Sequence, residues 1–497
     1  MMHVRPLRSV TLLALLPLCS CAVGPNYHRP EAPVSPAYKE GNWQPALPSA
    51  PANDAAWWSV YNDPVLDSLE RKIEISNQTV KAAEAAYRSA RAAVGIDRGA
   101  LLPDITASGS QSRRGGNASN AVSAISAVGA PGATGLSTAS NSRTSYSAAL
   151  SGNWQIDLWG RIRRTVESDV ARAQVSAADL ASARLSAQST LAQDYFLMRA
   201  ADEQKRLLDA SVEAFRTSLQ IAQNRVKAGV TTVADVYTAQ TELENTQAQA
   251  TNALLTRARY EHAIAVLTGV TPAELSIATG SFTTTVPVVP AGMPSTLLER
   301  RPDVAAAERT VASANAQIGV ARSAWFPSLT LTGSYGFTGD ALAGLLNTGN
   351  SVWSLGPSLA ETLFNGGARI AQNQQARANY DEAVANYRET VLTALQQVED
   401  DLVGLRVLQE QYGLQQAAVA DARRSEELVL NQYRAGTADY ATVITAQTTR
   451  LNSEISLLTI LSQRLTSSVE LIAALGGGWN AAQLPQPNLI YSLPKSP

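Results

Sequence analysis

One stretch of this chain occurs twice, and each copy spells the end of one helix and the start of another. Asn224-Arg-Val-Lys-Ala-Gly-Val-Thr-Thr-Val-Ala-Asp-Val-Tyr-Thr-Ala-Gln-Thr241 returns as Asn431-Gln-Tyr-Arg-Ala-Gly-Thr-Ala-Asp-Tyr-Ala-Thr-Val-Ile-Thr-Ala-Gln-Thr448. The leading asparagine, the Ala-Gly pair and a closing Val-x-Thr-Ala-Gln-Thr recur unchanged, and Lys227 is answered by Arg434. Before each copy runs a long stretch without proline whose apolar residues are periodic. A basic residue and then glycine at the end of such a run predict a helix terminus and a left-handed turn. Each copy therefore reads as the tip of a helical hairpin, and the chain as an internal duplication.

Composition narrows the class. The hydrophobic content is 45% with only 6% aromatics, and alanine dominates the aliphatic share. That suits close-packed helices better than a bulky globular core. The formal charge is −2 with no basic face, so nucleic acid is excluded as a partner class. Arg5 and Arg8, followed by the apolar run Val10 to Leu18, read as an export signal over residues 1–20. Leu18-Cys19-Ser20-Cys21 resembles the lipobox of bacterial lipoproteins. Cys21, preceded by a small residue, is the expected lipid acceptor, whereas Cys19 would follow Leu18. An ordinary cleaved signal with an incidental cysteine is the alternative. With Cys19 removed, the mature chain keeps one cysteine and has no internal disulfide. No later segment supplies the roughly 20 continuous apolar residues of a membrane helix. A chain like this can cross lipid only with strands.

The mature sequence divides into a lipidated tether over 21–60, a first repeat over 61–269, a linker over 270–295, a second repeat over 296–475 and a tail over 476–497. The tether, rich in Pro, Ala and Ser between Ala22 and Pro51, reads as extended chain laid on a surface. Leu66 to Arg98 reads as one helix, ended by Leu101-Leu-Pro103, with Ile105 to Ser112 as a strand. Gly115 to Ser142 is low in complexity and reads as an exposed loop. Tyr146 to Trp159 alternates cleanly, with Tyr146, Leu150, Trp154 and Ile156 on one face and Ser147, Ser151, Asn153 and Gln155 on the other. That is the length and pattern of a barrel strand. Arg161 to Lys227 has neither Gly nor Pro and predicts about 100 Å of helix at 1.5 Å per residue, and Val233 to Leu267 returns. The second half replays the first. Leu329 to Phe337 alternates again, Val352 to Phe364 is a weaker fourth strand containing Pro357 and Glu361, and Arg369 to Arg434 with Tyr440 to Leu475 repeats the hairpin. Two seams step by four and three, Leu208-Val212-Phe215-Leu219-Ala222-Val226 and Ile444 through Ile472, as in supercoiled helices. A soluble bundle explains the seams equally well but leaves the strands unexplained.

Four strands cannot close a barrel, because membrane barrels begin at about eight. An open sheet in lipid would leave edge groups without partners. The predicted fold is α+β, a transmembrane antiparallel barrel shared between copies and continuous with a long coiled-coil helical barrel. Two, three or four copies would give eight, twelve or sixteen strands, and periodicity does not choose among them.

At this point the chain resembles the TolC-like outer membrane factor family, in its lipoprotein branch associated with multidrug efflux. The residues that carry the resemblance are Cys21-Ala-Val-Gly-Pro-Asn-Tyr27, Trp57-Trp58, Trp159-Gly-Arg161, Arg300-Arg-Pro-Asp-Val-Ala-Ala-Ala-Glu-Arg309, Phe364-Asn-Gly-Gly-Ala-Arg369, Tyr433-Arg-Ala-Gly436 and Leu475-Gly-Gly-Gly-Trp479. The resemblance implies a homotrimer with a twelve-stranded barrel in the outer membrane and a helical tunnel in the periplasm. It implies as partners a periplasmic adaptor and an inner-membrane pump, expected to be proton-driven, and outer membrane lipid around the barrel. Ala22 after the lipidated cysteine implies release to the outer membrane.

The resemblance places the hairpin tips at the periplasmic mouth. Lys227, Ala228, Gly229, Val230, Arg434, Ala435 and Gly436 are then the expected adaptor contacts, although glycine turns and helix-capping cations explain the same residues locally. Asp439, Thr437, Tyr433 and Asp235 are the expected gate. Asp439 reads equally as a helix N-cap and Asp235 as a solvated helix face. Where the family carries aspartates further into the returning helix, this chain has Thr442 and Thr445. Asp104 and Asp157 face the barrel lumen or are solvated strand ends. His28 and His262 are the only mature histidines, so no metal cluster, Cys/His couple or serine triad is expected. No cofactor and no catalysis are expected, and no Walker loop supplies power. The reading is a passive exit duct for drugs or other small solutes. Its rivals are a type I secretion outlet for proteins or peptides, and a coiled-coil lipoprotein scaffold that never spans the membrane.

Overall fold

The computed structural model describes residues 22–35, 37–39, 56–114, 143–282, 285–287 and 297–491. Cys21, the signal over 1–20, residue 36 and residues 40–55 of the tether, the loop over 115–142, residues 283–284 and 288–296 and the last six residues lie outside the described residues. In order come α1 (Pro64–Ser76), α2 (Gln78–Gly99), β1 (Asp104–Arg114), β2 (Arg143–Ile156), α3 (Arg161–Lys227), α4 (Val233–Leu267), α5 (Leu297–Arg300), α6 (Pro302–Ser323), β3 (Ser328–Gly339), β4 (Ser351–Ala360), α7 (Ala368–Ala435), α8 (Tyr440–Ala474) and α9 (Pro487–Tyr491). Each half thus runs from a short helix and a longer one, through two strands, into a very long helix that turns and returns. Among the described residues no helix is long and apolar enough to cross a membrane.

The strands form one antiparallel sheet in the order β1-β2-β3-β4. Its register puts apolar and hydroxylated side chains on alternate rows. One face carries Ala107, Leu150, Tyr335 and Trp353 in a row, with Trp154, Leu331 and Pro357 in another. The opposite face carries Thr106, Ser151, Ser334 and Ser354 in a single row. Hydroxyls there hydrogen-bond across strands, Thr106 to Ser151 at 2.7 Å and Ser334 to Ser354 at 2.8 Å. This satisfies the polar groups of one face while the other remains suited to lipid. The outer edges of β1 and β4 have no strand partner among the described residues.

The two coiled-coil seams meet each other. Leu208, Val212, Phe215 and Leu219 of α3 pack in one cluster with Tyr440, Val443, Ile444 and Leu451 of α8, joined by Ala239 and Leu243 of α4. A second core forms a belt midway along the long helices, where Trp57, Trp58 and Tyr61 meet Tyr195, Phe196, Ile264 and Leu465. Fully burying such side chains contributes about 1.5–3 kcal/mol each.

Four expectations are corrected. Leu66 to Arg98 is two helices, because Asn77 caps the second: its Oδ1 accepts from the Val80 amide at 3.0 Å while its Nδ2 donates to the Leu267 carbonyl at 2.7 Å. That second contact comes from a distant turn that local pattern cannot show. The second strand ends at Ile156 rather than Trp159. Asp157 lies beyond it and faces no lumen; it accepts from the amides of Ile162 and Arg163 at 3.1 and 3.0 Å, satisfying orphan donors at the start of α3. The fourth strand ends at Ala360 rather than Phe364, and Glu361 turns away to accept from Arg369 at 2.8 Å. Pro357 lies inside β4, opposite Leu331 of β3.

Candidate functional site

Both hairpin tips close by the same device. After α3, Gly229 has φ 71° and donates to the Val226 carbonyl at 2.9 Å, while Val230 donates to the Arg225 carbonyl at 2.9 Å. After α7, Gly436 has φ 81° and donates to the Tyr433 carbonyl at 3.1 Å, while Thr437 donates to the Gln432 carbonyl at 2.9 Å. This paired pattern consumes the last carbonyls of a helix and demands a left-handed residue at its centre. The expected contact residues Lys227, Ala228, Gly229, Val230, Arg434, Ala435 and Gly436 are all exposed. A side chain built on either tip glycine would meet nothing within 4 Å.

The two copies differ in where they hold their acid. In the second, Asp439 is the N-cap of α8 and accepts from the Thr442 amide at 2.9 Å and from the Thr442 hydroxyl. Those hydrogen bonds, the hydroxyl first, hold its carboxyl below the usual aspartate range. In the first, Thr232 is the N-cap and Asp235 sits three residues on, accepting from the Thr231 hydroxyl. Either carboxylate is favourable at the positive end of a helix.

The structure brings Tyr433 and Asp235 together and leaves Asp439 and Thr437 on the exposed rim. Tyr433 is 2% exposed and packs at 5.5 Å from the Tyr440 ring. Arg225 of α3 lies 4.5 Å over the Tyr433 ring and donates to the Tyr433 carbonyl at 2.6 Å. Burial raises both tyrosine pKa values, opposed at Tyr433 by Arg225 and reinforced at both by Asp235. This is a staple between the two hairpins, and Arg225 is the residue that reasoning from sequence missed. It occupies the position before the seam residue Val226, and its partner is 208 residues away. Also missed were Val233 and Tyr237, which extend the expected Val230 into an apolar patch on the first tip, the three being 54%, 70% and 61% exposed. Their spacing puts them on adjacent turns of one surface, a signal present in the duplicated stretch itself.

Among the described residues no group of three or more His, Cys, Asp or Glu could hold a metal ion. His28 and His262 are both exposed and far apart in sequence.

A sheet with one apolar and one hydroxylated face, carrying two long helical hairpins from the same end, defines an outer-membrane duct whose tunnel continues below the barrel. The outer membrane efflux protein family matches residues 70–270 and 293–477, and the chain belongs to that family. It is 30% identical over 491 residues to the solvent efflux pump outer membrane protein SrpC of Pseudomonas putida, covering 96% of this chain and 99% of that one. Among solved structures it resembles the Campylobacter jejuni CmeC outer membrane channel, with a TM-score of 0.84 at 27% identity, covering 93% and 96% of the two chains. It also resembles the outer-membrane channel OprN, with a TM-score of 0.83 at 28% identity, covering 92% and 100%. The chain is an efflux exit duct, as its duplicated hairpins and alternating strands led us to expect.

Proposed function

We propose that three copies of this chain pool their strands into one twelve-stranded barrel and their hairpins into one periplasmic tunnel. The observation that carries this is the pair of open sheet edges on β1 and β4, which lipid does not tolerate unpaired. A lipid on Cys21 anchors the assembly in the outer membrane, and Ala22 permits its sorting there. The tips meet a periplasmic adaptor through Lys227, Ala228, Gly229, Val230, Arg434, Ala435 and Gly436, and a proton-driven inner-membrane pump supplies the work. The open space around Gly229 and Gly436 and the exposed Val230 support this contact. Asp439, Thr437, Tyr433 and Asp235 form the gate of the mouth, with three copies of each acid drawing cations toward the axis. The cargo is small organic solutes such as solvents and drugs, in line with the solvent efflux for which SrpC is named and the antibiotic efflux for which the similar ArpC of Pseudomonas putida is named. The duct itself catalyses nothing.

The test is Gly436→Trp. The variant assembles as a heat-modifiable trimer and conducts in lipid bilayers, yet no longer restores drug or solvent resistance to cells lacking the duct. Loss of the trimer in this variant would remove the adaptor reading, and monomers without channel activity in the wild type would remove the shared barrel.

A further inference from the structure

The residues just after position 21 do not hang as a loose tether. Val23 donates its amide to the Trp159 carbonyl at 2.9 Å, at the junction of β2 and α3. Arg164, whose side chain is 5% exposed, donates to the carbonyls of Val23 and Gly24 at 3.3 and 3.4 Å and to the Asn26 side chain at 3.2 Å. Asn315 donates to the Pro25 carbonyl at 3.1 Å. Three glycines make room for this path. Gly24 has φ 112°, and a side chain on it would lie 2.5 Å from the Cα of Gly319 on α6. A side chain on Gly160 would lie 2.8 Å from the Ala22 Cα, and one on Gly319 would lie 3.0 Å from the Val23 carbonyl. Backbone therefore lies on backbone, and a buried guanidinium reads the carbonyls of the segment.

From that seat the chain continues down the helices. Tyr27 donates to Glu308 of α6 and lies under the Arg309 guanidinium. Arg29 donates to the Tyr387 hydroxyl at 3.3 Å, and Arg388 donates back to the Glu31 carbonyl at 3.3 Å, both on α7. Near the belt, Tyr38 is buried with Val398, Leu471 and Ala474, and the Lys39 amide donates to Glu399 at 2.6 Å. The segment thus crosses α3, α6, α7 and the end of α8.

We propose that residues 22–35 and 37–39 are a brace seated by Arg164, Gly160 and Gly319, which fixes the upper part of α7 against α3 and α6 and confines movement of the second hairpin to the part below Glu399. The brace is independent of whether residue 21 carries a lipid. Arg164 pairs with Glu167 on its own helix at 2.7 Å, and three acceptors of the segment fill the remaining donors of that buried cation, while the glycine-to-glycine contact has no use unless the segment is held there.

Hydrogen–deuterium exchange on the full-length chain purified in detergent tests this. In the wild type, the Val23 amide, donated to Trp159, and the Lys39 amide, donated to Glu399, exchange slowly. Gly24→Ala and Arg164→Met raise their exchange at least tenfold and also raise that of residues 384–399 in α7, while residues 224–241 at the first tip stay unchanged. His28→Ala, which alters an exposed side chain of the same segment, behaves as wild type. Exchange of the Val23 amide within twofold of wild type in Gly24→Ala overturns the seat, and a freed segment with unchanged exchange over 384–399 overturns the brace. If Gly24→Ala cannot be recovered folded while His28→Ala can, the seat is supported, because a loose tether has no part in folding.

Discussion

The four turns that end the long hairpins are built alike and surrounded differently. At the tips, Gly229 and Gly436 stand in open space. At the belt, Gly269 after α4 and Gly476 after α8 have φ 71° and 97° and repeat the same paired hydrogen bonds. There, however, a side chain would collide with backbone, at 2.2 Å from the Ser76 carbonyl for Gly269 and 2.1 Å from the Arg300 carbonyl for Gly476. Each of those carbonyls belongs to the last residue of a short helix, α1 or α5. The duplication therefore repeats the joint as well as the helices. Local sequence makes the turn, and neighbours decide whether it is a locked joint or a free end.

The largest expected effect comes from filling these glycines. Gly269→Ala or Gly476→Ala combines a left-handed penalty of about 1–2 kcal/mol with overpacking of about 1–3 kcal/mol or more. Thermal unfolding of the trimer is expected to collapse or shift sharply downward. Gly229→Ala and Gly436→Ala should cost only the first of these amounts. Equal losses at tip and belt would erase the distinction.

A second, intermediate effect concerns pH. Glu70 of α1 is fully buried in the belt, its carboxylate oxygens have no hydrogen-bond partner, and desolvation, helped by nearby Asp67, pushes its pKa up to about 9. The folded chain holds this proton more tightly than the unfolded chain, whose value is near 4.5. Stability is therefore fully present below the unfolded value and falls as pH rises toward 9. Burial also raises Asp194 to about 6 and Asp401 to about 7, which act in the same sense over a lower range. Asp439 at the tip acts oppositely, since its lowered pKa gives a contribution present above 3.8 and lost in acid. Glu70→Gln should flatten the decline in unfolding temperature between pH 6 and pH 9 and raise stability at the upper end. An unchanged slope would show that Glu70 is ionised or solvated in the assembled duct.

The smallest effect on stability is expected at the tip staple. Arg225→Ala removes a cation–π contact worth about 0.5–2 kcal/mol and the hydrogen bond to the Tyr433 carbonyl. The trimer should survive with nearly wild-type unfolding, while single-channel conductance of the isolated duct and antibiotic leak into cells rise. Loss of the trimer with no added leak would assign Arg225 to the joint class instead.

Much of the architecture was legible from pattern. Residues 161–227 and 233–267 are helical to the residue, because nothing within them breaks a helix and a glycine follows each. The strand faces were legible because side chains alternate with period two. The misreadings fall where a polar side chain ends an element by taking a partner, distant for Asn77 and five residues on for Asp157. Asn77 breaks a helix to reach Leu267, and Asp157 leaves the strand to cap α3. At the tips, the exposed turn residues were found from the duplicated motif, whereas Arg225 was not, since a basic residue near a helix end reads as a cap until its distant partner is known.

By itself, then, the sequence determined the two hairpins, their glycine turns and four ribbons with one greasy and one hydroxylated face, because these follow from backbone stereochemistry and periods of a few residues. Only the tertiary structure decided which turns are locked, where the N-terminal segment is held, which hairpin Arg225 fastens and that Glu70 has no partner. Those depend on which surfaces meet across hundreds of residues, and hydrogen bonding and burial are properties of the meeting rather than of either segment alone.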